Sequence, residues 1–182
     1  MSYSFERKGV FIGVVLLGIV ALLFFVFSGP NDDIQAIEIA ILKSNMNSHV
    51  EKVVYIERID DVTLAIYDTP TGLAIGRLKE SLLGWKWVTG TGYLEFNSGK
   101  DLSWIWSDLG NTKEPLPVYY GFISSPHIER VEIGRKHQAK KVATYRGKTI
   151  WFLIGKSTLG TEEIQGLTAE GEVLYSRLGN SR

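Results

Sequence analysis

An uninterrupted apolar run near the N-terminus constrains this chain more than any other feature. Val10–Phe27 reads VFIGVVLLGIVALLFFVF, 18 residues without a charge. At about 1.5 Å per residue, a helix of this length spans about 27 Å, close to the ~30 Å hydrocarbon core of a bilayer. A helix on the surface of a soluble domain keeps a polar face, and this segment has none. We therefore predict a single transmembrane helix over residues 10–28.

The flanking charges predict the direction in which this helix crosses the membrane. Arg7 and Lys8 precede it, and Asp32 and Asp33 follow it. Basic residues favour the cytoplasmic side, so residues 1–9 are predicted to be a cytoplasmic stub, with the remainder of the chain extracytoplasmic. The alternative is a cleaved signal peptide, whose apolar region usually runs ~7–15 residues before a small-x-small site. The longer run favours a retained anchor in the cell membrane.

The composition excludes several classes of function. The chain carries 20 basic and 20 acidic residues, whereas nucleic-acid binding rests largely on an excess of Lys and Arg that neutralises phosphates. We expect no nucleic-acid partner. Absence of cysteine excludes disulfides, thiolate catalysis, Cys-ligated zinc, iron–sulfur clusters and a lipidated cysteine anchor. The three histidines show no metal-ligand spacing, so we predict no metal and no cofactor.

Residues 29–48 form a predicted juxtamembrane segment with one short helix. An Asn or Asp at positions 31–33 is suited to cap this helix, which we expect to run to about Ser44. Its apolar residues recur at helical spacing: Ile34, Ile37, Ile41 and Leu42. Packing of this stripe on the following domain is expected, and a helix that acts only as a spacer is the alternative.

Residues 49–182 are predicted to form an extracytoplasmic β-rich domain. Short runs rich in Val, Ile, Thr and Tyr replace the helical period, and turn residues separate them, as in TPTG (69–72) and NSGK (97–100). About nine or ten short strands at this spacing, with no long amphipathic helix between them, predict a mainly β fold. The expected architecture is an antiparallel sandwich or barrel.

Several stretches of this domain are rich in aromatic residues and glycine. They read LLGWKWVTGTGY, VYYGFIS, TIWFLIG and EGEVLY. Through them the chain resembles a group of uncharacterised envelope proteins of low-GC Gram-positive bacteria, which have an N-terminal membrane anchor or a lipoprotein signal. The likeness spans most of residues 60–176. It implies a β-rich exported domain in the bacterial cell envelope and brings no catalytic residues with it.

Two tryptophan pairs are candidate ligand-binding residues. Trp85 and Trp87, and likewise Trp104 and Trp106, are two residues apart, so each pair faces one side of a strand. A hairpin centred on 98–99 would bring the second pair opposite the preceding strand. A row of such rings is suited to stack on the sugars of a cell-wall polysaccharide. The competing interpretation, which we favour, is that the rings belong to the core of the domain.

Basic residues concentrate between positions 130 and 148. The segment GRKHQAKK is predicted to form a hairpin that presents Arg135, Lys136, Lys140 and Lys141 together. These side chains are candidates for contact with anionic lipid headgroups or a wall polymer such as teichoic acid, at roughly 1 kcal/mol per basic residue at a charged membrane. The competing interpretation is a solvated turn whose charges oppose edge-to-edge aggregation.

The chain carries no recognisable catalytic motif. It has no HExxH, no G-x-S-x-G elbow and no glycine-rich phosphate loop that opens a helix. We predict a non-enzymatic, membrane-tethered binding or sensing module that acts through an envelope protein partner. One alternative is a module that binds cell-wall polysaccharide through exposed tryptophans. The other is an envelope hydrolase whose carboxylates converge only in three dimensions.

Overall fold

Antiparallel strands account for most of the chain that the structure covers. This computed structural model describes residues 32–44, 50–96, 99–111, 113–155 and 162–178. Within them lie thirteen strands in three sheets and one short helix, α1 (Asp32–Leu42). No helix in these ranges is both long and apolar enough to span a bilayer. The predicted transmembrane helix over residues 10–28 lies outside the described residues. The prediction of a mainly β fold is confirmed.

The strands follow one another closely along the chain. They are β1 (Lys52–Ile59), β2 (Val62–Asp68), β3 (Gly72–Ser81), β4 (Gly84–Gly90), β5 (Leu94–Glu95), β6 (Leu102–Asp108), β7 (Pro117–Ile123), β8 (Arg130–Ile133), β9 (His137–Gln138), β10 (Lys140–Tyr145), β11 (Lys148–Ile154), β12 (Glu163–Leu167) and β13 (Val173–Leu178). Sheet I has the order β1-β2-β3-β4, and β5 pairs with β3. Sheet II has the order β10-β11-β7-β6, and sheet III the order β13-β12-β8-β9.

Sheets I and II face each other across an apolar cluster. Ile66 and Ile75 of sheet I meet Tyr120, Phe122 and Phe152 of sheet II there, and all five are buried. Because successive side chains of a strand point to opposite faces, each of these strands also presents a second set of side chains to its other side. Both sheets therefore have further surface to cover.

The opposite face of sheet II packs on sheet III. Tyr119 and Trp151 of sheet II meet Val131, Ile133 and Ile164 of sheet III in a second buried cluster. Sheet II is thus covered on both faces, and β7 is buried along its whole length. A strand covered on both sides has no need of polar–apolar alternation, which accounts for its sequence, PVYYGFI.

Helix α1 covers the outer face of sheet I. The chain from Ile37 onward belongs to one compact unit with the sheets, and Ile37, Ala40 and Ile41 are buried in a third cluster with side chains of sheet I. Ile34 and Leu42, the other members of the expected stripe, are exposed. The part of the helix that begins at Ile37 therefore packs on the domain.

The predicted number of strands was too low. We expected nine or ten, and the described residues contain thirteen. Strands β5 and β9 have two residues each, too few to produce an alternating pattern in the sequence. Residues 83–96 read in sequence as one strand interrupted by glycines. In the structure, Gly90 and Gly92 divide this stretch into β4 and β5, which pair with different parts of β3.

Candidate binding surfaces

Trp85 and Trp87 lie on β4 and point to the side of sheet I that α1 covers. Both are half-buried and pack against the cluster between helix and sheet. The ring of Trp87 meets that of Tyr67 edge-on, with 6.2 Å between centroids. The guanidinium of Arg58 stands 5.7 Å from the centroid of Trp85. Protein atoms therefore already cover much of both rings, as the core interpretation expects.

Trp104 and Trp106 lie on β6, on the side of sheet II that faces sheet III. Trp104 is half-buried and donates a hydrogen bond from Nε1 to the hydroxyl of Tyr175, 3.1 Å away. Trp106 is 42% exposed. The predicted hairpin centred on 98–99 is wrong, because β6 pairs with β7 and places Trp104 opposite Gly121. The strand before that turn, β5, pairs with β3 in sheet I instead.

The two tryptophan pairs do not form one row. One pair is on the outward side of sheet I and the other on the outward side of sheet II, and the apolar cluster between those sheets separates them. Of the four tryptophans, only Trp106 is exposed, and the other three are half-buried. A sugar chain would therefore meet one open ring rather than a ladder of four.

The four predicted anion-contacting residues are divided between two sheets. Arg135 lies in the tight turn after β8, where Gly134 and Arg135 have φ angles of 62° and 57°, and Lys136 follows it. The chain then leaves sheet III, and Lys140 and Lys141 begin β10 of sheet II. A hairpin does form in this segment, between β8 and β9, and its turn carries Arg135 and Lys136, whereas Lys140 and Lys141 lie beyond it in β10.

Three of these four cations have acidic partners. The ion pairs are Arg135–Glu163 (3.0 Å), Lys140–Glu57 (2.7 Å) and Lys141–Glu129 (3.0 Å). Lys136 is exposed and has no ion pair with any residue the structure describes. A cation that already has a close carboxylate adds little to the positive field that attracts an anionic surface. The folded segment therefore has less uncompensated positive charge than its sequence suggests.

The Lys140–Glu57 pair joins the edge strands β10 and β1. Lys140 also donates to the hydroxyl of Tyr55, 2.8 Å away, and that hydroxyl donates to Glu57. The hydrogen bond to Glu57 raises the pKa of Lys140. Burial acts to raise the pKa of Glu57, but hydrogen bonds from Lys140 and Tyr55 outweigh it and lower that pKa. Both shifts favour the charged pair, which links sheets I and II at one edge.

A cleft of about 400 Å³ opens beside the turn between β10 and β11. Its walls are Pro70, Thr71, Glu95, Phe96, Arg146 and Lys148. The guanidinium of Arg146 stands 4.6 Å from the centroid of Phe96, and Lys148 donates to the carbonyl of Phe96. Arg146 also pairs with Glu51 and with the buried Asp68, each at 2.8 Å. Arg146 and Lys148 already have acceptors, and Glu95 adds a negative charge. The cleft therefore offers little uncompensated positive charge to an anion.

The turn between β3 and β4 presents two leucines to solvent. Leu82 and Leu83 are each 100% exposed. The hydroxyl of Ser81 donates to the carbonyl of Gly84 (2.7 Å) and accepts from the backbone N–H of Leu83 (3.3 Å). These bonds hold the turn in a defined shape, and a φ of 99° at Gly84 suits a residue without a Cβ. The leucines therefore stand out as a fixed apolar tip.

Strand β13 forms the open edge of sheet III. It pairs with β12 on one side, and no strand among the described residues pairs with its other side. Val173, Leu174 and Leu178 are 47%, 46% and 63% exposed, respectively. No other edge strand in the described ranges exposes as many large apolar side chains. An outer strand with exposed apolar side chains is a template for a further strand.

Metal ligands do not converge in the part of the chain that is described. No group of three or more His, Asp or Glu side chains there is placed to hold an ion. His127 and His137 are exposed, and His49 lies outside the described residues.

The two most exposed surfaces, the β3–β4 tip and the β13 edge, were not among the residues proposed from sequence. Leu82 and Leu83 follow Lys-Glu-Ser and precede Gly, but the sequence pattern places Leu83 at the start of a strand and assigns Leu82 to no element. Scans against protein-family models, curated proteins and solved structures found no match to this chain.

Proposed function

We propose that this chain is a non-catalytic, membrane-tethered binding module of the bacterial envelope, and that it binds an envelope protein through strand β13. In this proposal residues 10–28 form the transmembrane helix, the N-terminus is cytoplasmic, and the stacked antiparallel sheets stand outside the membrane. The partner adds a strand beside β13, at the outer edge of sheet III.

The observation that carries the proposal is the exposed apolar character of β13. The register with β12 shifts here: Val173 is opposite Leu167, Tyr175 is opposite Gly166, and Leu174 lies between them as the extra residue. Val173 and Leu174 are both about half exposed. In strand addition, main-chain hydrogen bonds supply affinity, and alternate side chains supply specificity. The exposed apolar side chains along this outer strand, Val173, Leu174 and Leu178, can supply such contacts.

Two other edge strands, β10 and β1, differ from β13 in their charges. Strand β10 begins with Lys140 and Lys141, and lysines on an edge oppose pairing with another chain. Strand β1 carries Lys52, Glu57 and Arg58. In contrast, β13 reads VLYSRL and has one charged residue, Arg177. The edge of sheet III is therefore less protected by charge than the edges at β10 and β1.

A photo-crosslinking amino acid at Leu174 in the full-length protein, expressed in cells, tests this proposal. We expect one envelope protein to be captured from position 174. The matched control is Val88 on the edge strand β4, whose exposed fraction of 48% is close to the 46% of Leu174. Capture of the same protein with equal yield from both positions, or of no protein from position 174, would contradict binding at β13.

A further inference from the structure

The β3–β4 hairpin has an order of side chains that fits the edge of a bilayer. Leu82 and Leu83 are at the tip, fully exposed. Trp85 follows on β4 and is half-buried. Behind the tip, Lys79 and Lys86 are exposed and are direct partners across the two strands. Along the hairpin, the side chains therefore change within a few residues from apolar at the tip, through an aromatic ring, to charged.

The paired lysines indicate an anionic counterpart. Like charges directly opposite each other on a sheet repel, and phosphate headgroups would relieve this repulsion between Lys79 and Lys86. The acids at the same end are Glu80, which is opposite Trp85 on the other face, and Asp60 and Asp61 in the neighbouring β1–β2 turn. On their own face of the hairpin the charged side chains are therefore all basic: Lys79, Lys86 and, farther from the tip, Arg77. The acids limit how deeply this end can enter.

We propose that Leu82 and Leu83 insert into the outer surface of the lipid bilayer to which the chain is tethered. This inference rests on the membrane tether of the proposed function. A rise of about 3.3 Å per residue puts Lys86 about 10 Å behind Leu83, comparable to the 5–10 Å that interfacial segments enter. Tryptophan is enriched at that depth, where apolar tails meet headgroups.

The size of the tip favours lipid over a protein partner. A stable protein interface covers about 800 Å² on each side, and two leucines at one turn offer a small part of that area. A bilayer requires no matching pocket, and tethering keeps its surface at high effective concentration. Two adjacent side chains are therefore enough for a bilayer contact and too few for an ordinary protein interface.

Depth-dependent quenching in vesicles tests the inference. The full-length chain has no cysteine, so Leu83→Cys provides a single site for a polarity-sensitive fluorophore. The protein is reconstituted into vesicles of phosphatidylcholine and phosphatidylglycerol, some of which contain lipids with a quencher on the acyl chain. We expect blue-shifted emission and loss of intensity with the quenching lipids. The matched control is Ala169→Cys in the exposed turn between β12 and β13, which should report water in both cases.

Two further variants separate insertion from an artefact of the apolar label. Leu82→Ser in the Leu83→Cys background should return the label toward water-like emission. The double change Lys79→Gln and Lys86→Gln should weaken quenching in mixed vesicles and have little effect in phosphatidylcholine alone. Emission from position 83 that equals the control would overturn the inference, and so would quenching that Leu82→Ser leaves unchanged.

The outcomes also separate this inference from the proposed function. The vesicles contain no protein partner, so the quenching result does not depend on β13. A vesicle-bound chain with a water-exposed Leu83 label overturns the tip contact alone. A chain that does not associate with vesicles at all contradicts the tether, and with it both proposals.

Discussion

The indole ring of Trp87 lies directly over Gly76, so that a Cβ added to this glycine would stand 2.1 Å from the ring. Gly90, the register partner of Gly76, is in the same position, with 2.4 Å to the ring. One aromatic side chain therefore covers two neighbouring strands, and glycine on each strand leaves the space that the ring occupies. This relationship accounts for Gly76 in β3 and Gly90 in β4.

We predict that Gly76→Ala destabilises the domain by about 1–3 kcal/mol, the usual range for overpacking. In the Trp87→Leu background the same change should have a smaller effect, because the smaller side chain leaves room for the methyl. Urea unfolding of the four proteins of the cycle measures both effects. Gly92→Ala is the control, since an added Cβ meets nothing within 4 Å there. Equal effects of Gly76→Ala in both backgrounds would contradict this packing.

Arg146 compensates a buried carboxylate. Asp68 has no exposed surface, and its Oδ1 has no hydrogen-bond partner among the described residues, while Oδ2 meets Arg146 and Tyr145. Removing one partner of a buried charge leaves the other charge uncompensated, so Arg146→Met should lower Tm by roughly 5–10 °C.

Arg135→Met is the control for this prediction, because it removes an exposed pair and should change Tm by less than about 2 °C. Adding Asp68→Asn to Arg146→Met should restore part of the loss, since a neutral amide needs no cation. An equal decrease in Tm in both arginine variants would show that Arg146 does not stabilise the buried Asp68 carboxylate.

The sequence predicted the class of the fold better than its architecture, for a physical reason. Local patterns reveal strands and turns, and strands such as β7 were recognisable from Val, Tyr and Ile. Pairing between β6 and β7, or between β5 and β3, depends on which faces become buried together, and no local pattern encodes this. The hairpin centred on 98–99 was predicted wrongly because its turn residues were read without that information.

The Lys140–Glu57 pair should give stability a defined pH dependence. The pKa of Lys140 is raised from its ordinary 10.5, so its contribution is complete below that value and is lost as pH rises through the folded-state pKa. The pKa of Glu57 is lowered from its ordinary 4.5, so its contribution is complete above that value and is lost as pH falls through the folded-state pKa. The pair therefore stabilises the fold most between about pH 5 and about pH 10.

Lys140→Met tests this dependence by denaturant unfolding across pH. The loss of stability relative to the wild type should be constant within this window and should shrink beyond both ends. Lys136→Met is the control, because Lys136 has no ion pair with a described residue, and it should show no such profile. A loss from Lys140→Met that does not vary with pH would indicate that packing alone ties β10 to β1.

The polysaccharide alternative depends chiefly on Trp106. Trp85, Trp87 and Trp104 are half-buried in clusters of the fold, so their truncation to alanine should destabilise the domain, by up to the roughly 3–5 kcal/mol of a core position. Trp106→Ala should be tolerated, and we expect unchanged sedimentation of the full-length protein with purified cell walls. A folded Trp106→Ala variant with at least tenfold weaker wall binding would instead support sugar stacking on this ring.

The candidate surfaces were harder to predict than the fold because exposure is a property of the assembled structure. Arg135, Lys140 and Lys141 stand out in the sequence as a basic cluster, but their carboxylate partners come from β12, β1 and the segment before β8. Leu82 and Leu83 resemble strand residues until the register of β3 with β4 places them in a turn. Val173 and Leu174 likewise lie at a sheet edge only because β13 is the outermost strand of sheet III, which the local sequence does not reveal.

Co-isolation from cells tests the central claim, that β13 binds an envelope protein, most directly. The full-length wild type, Leu174→Lys and the control Val88→Lys are crosslinked in cells, extracted in mild detergent and analysed by mass spectrometry. We predict one envelope protein in near-stoichiometric amount with the wild type and Val88→Lys, reduced at least tenfold with folded Leu174→Lys. Recovery of the bait alone from all three, alongside efficient crosslinking of a known complex, would contradict the claim.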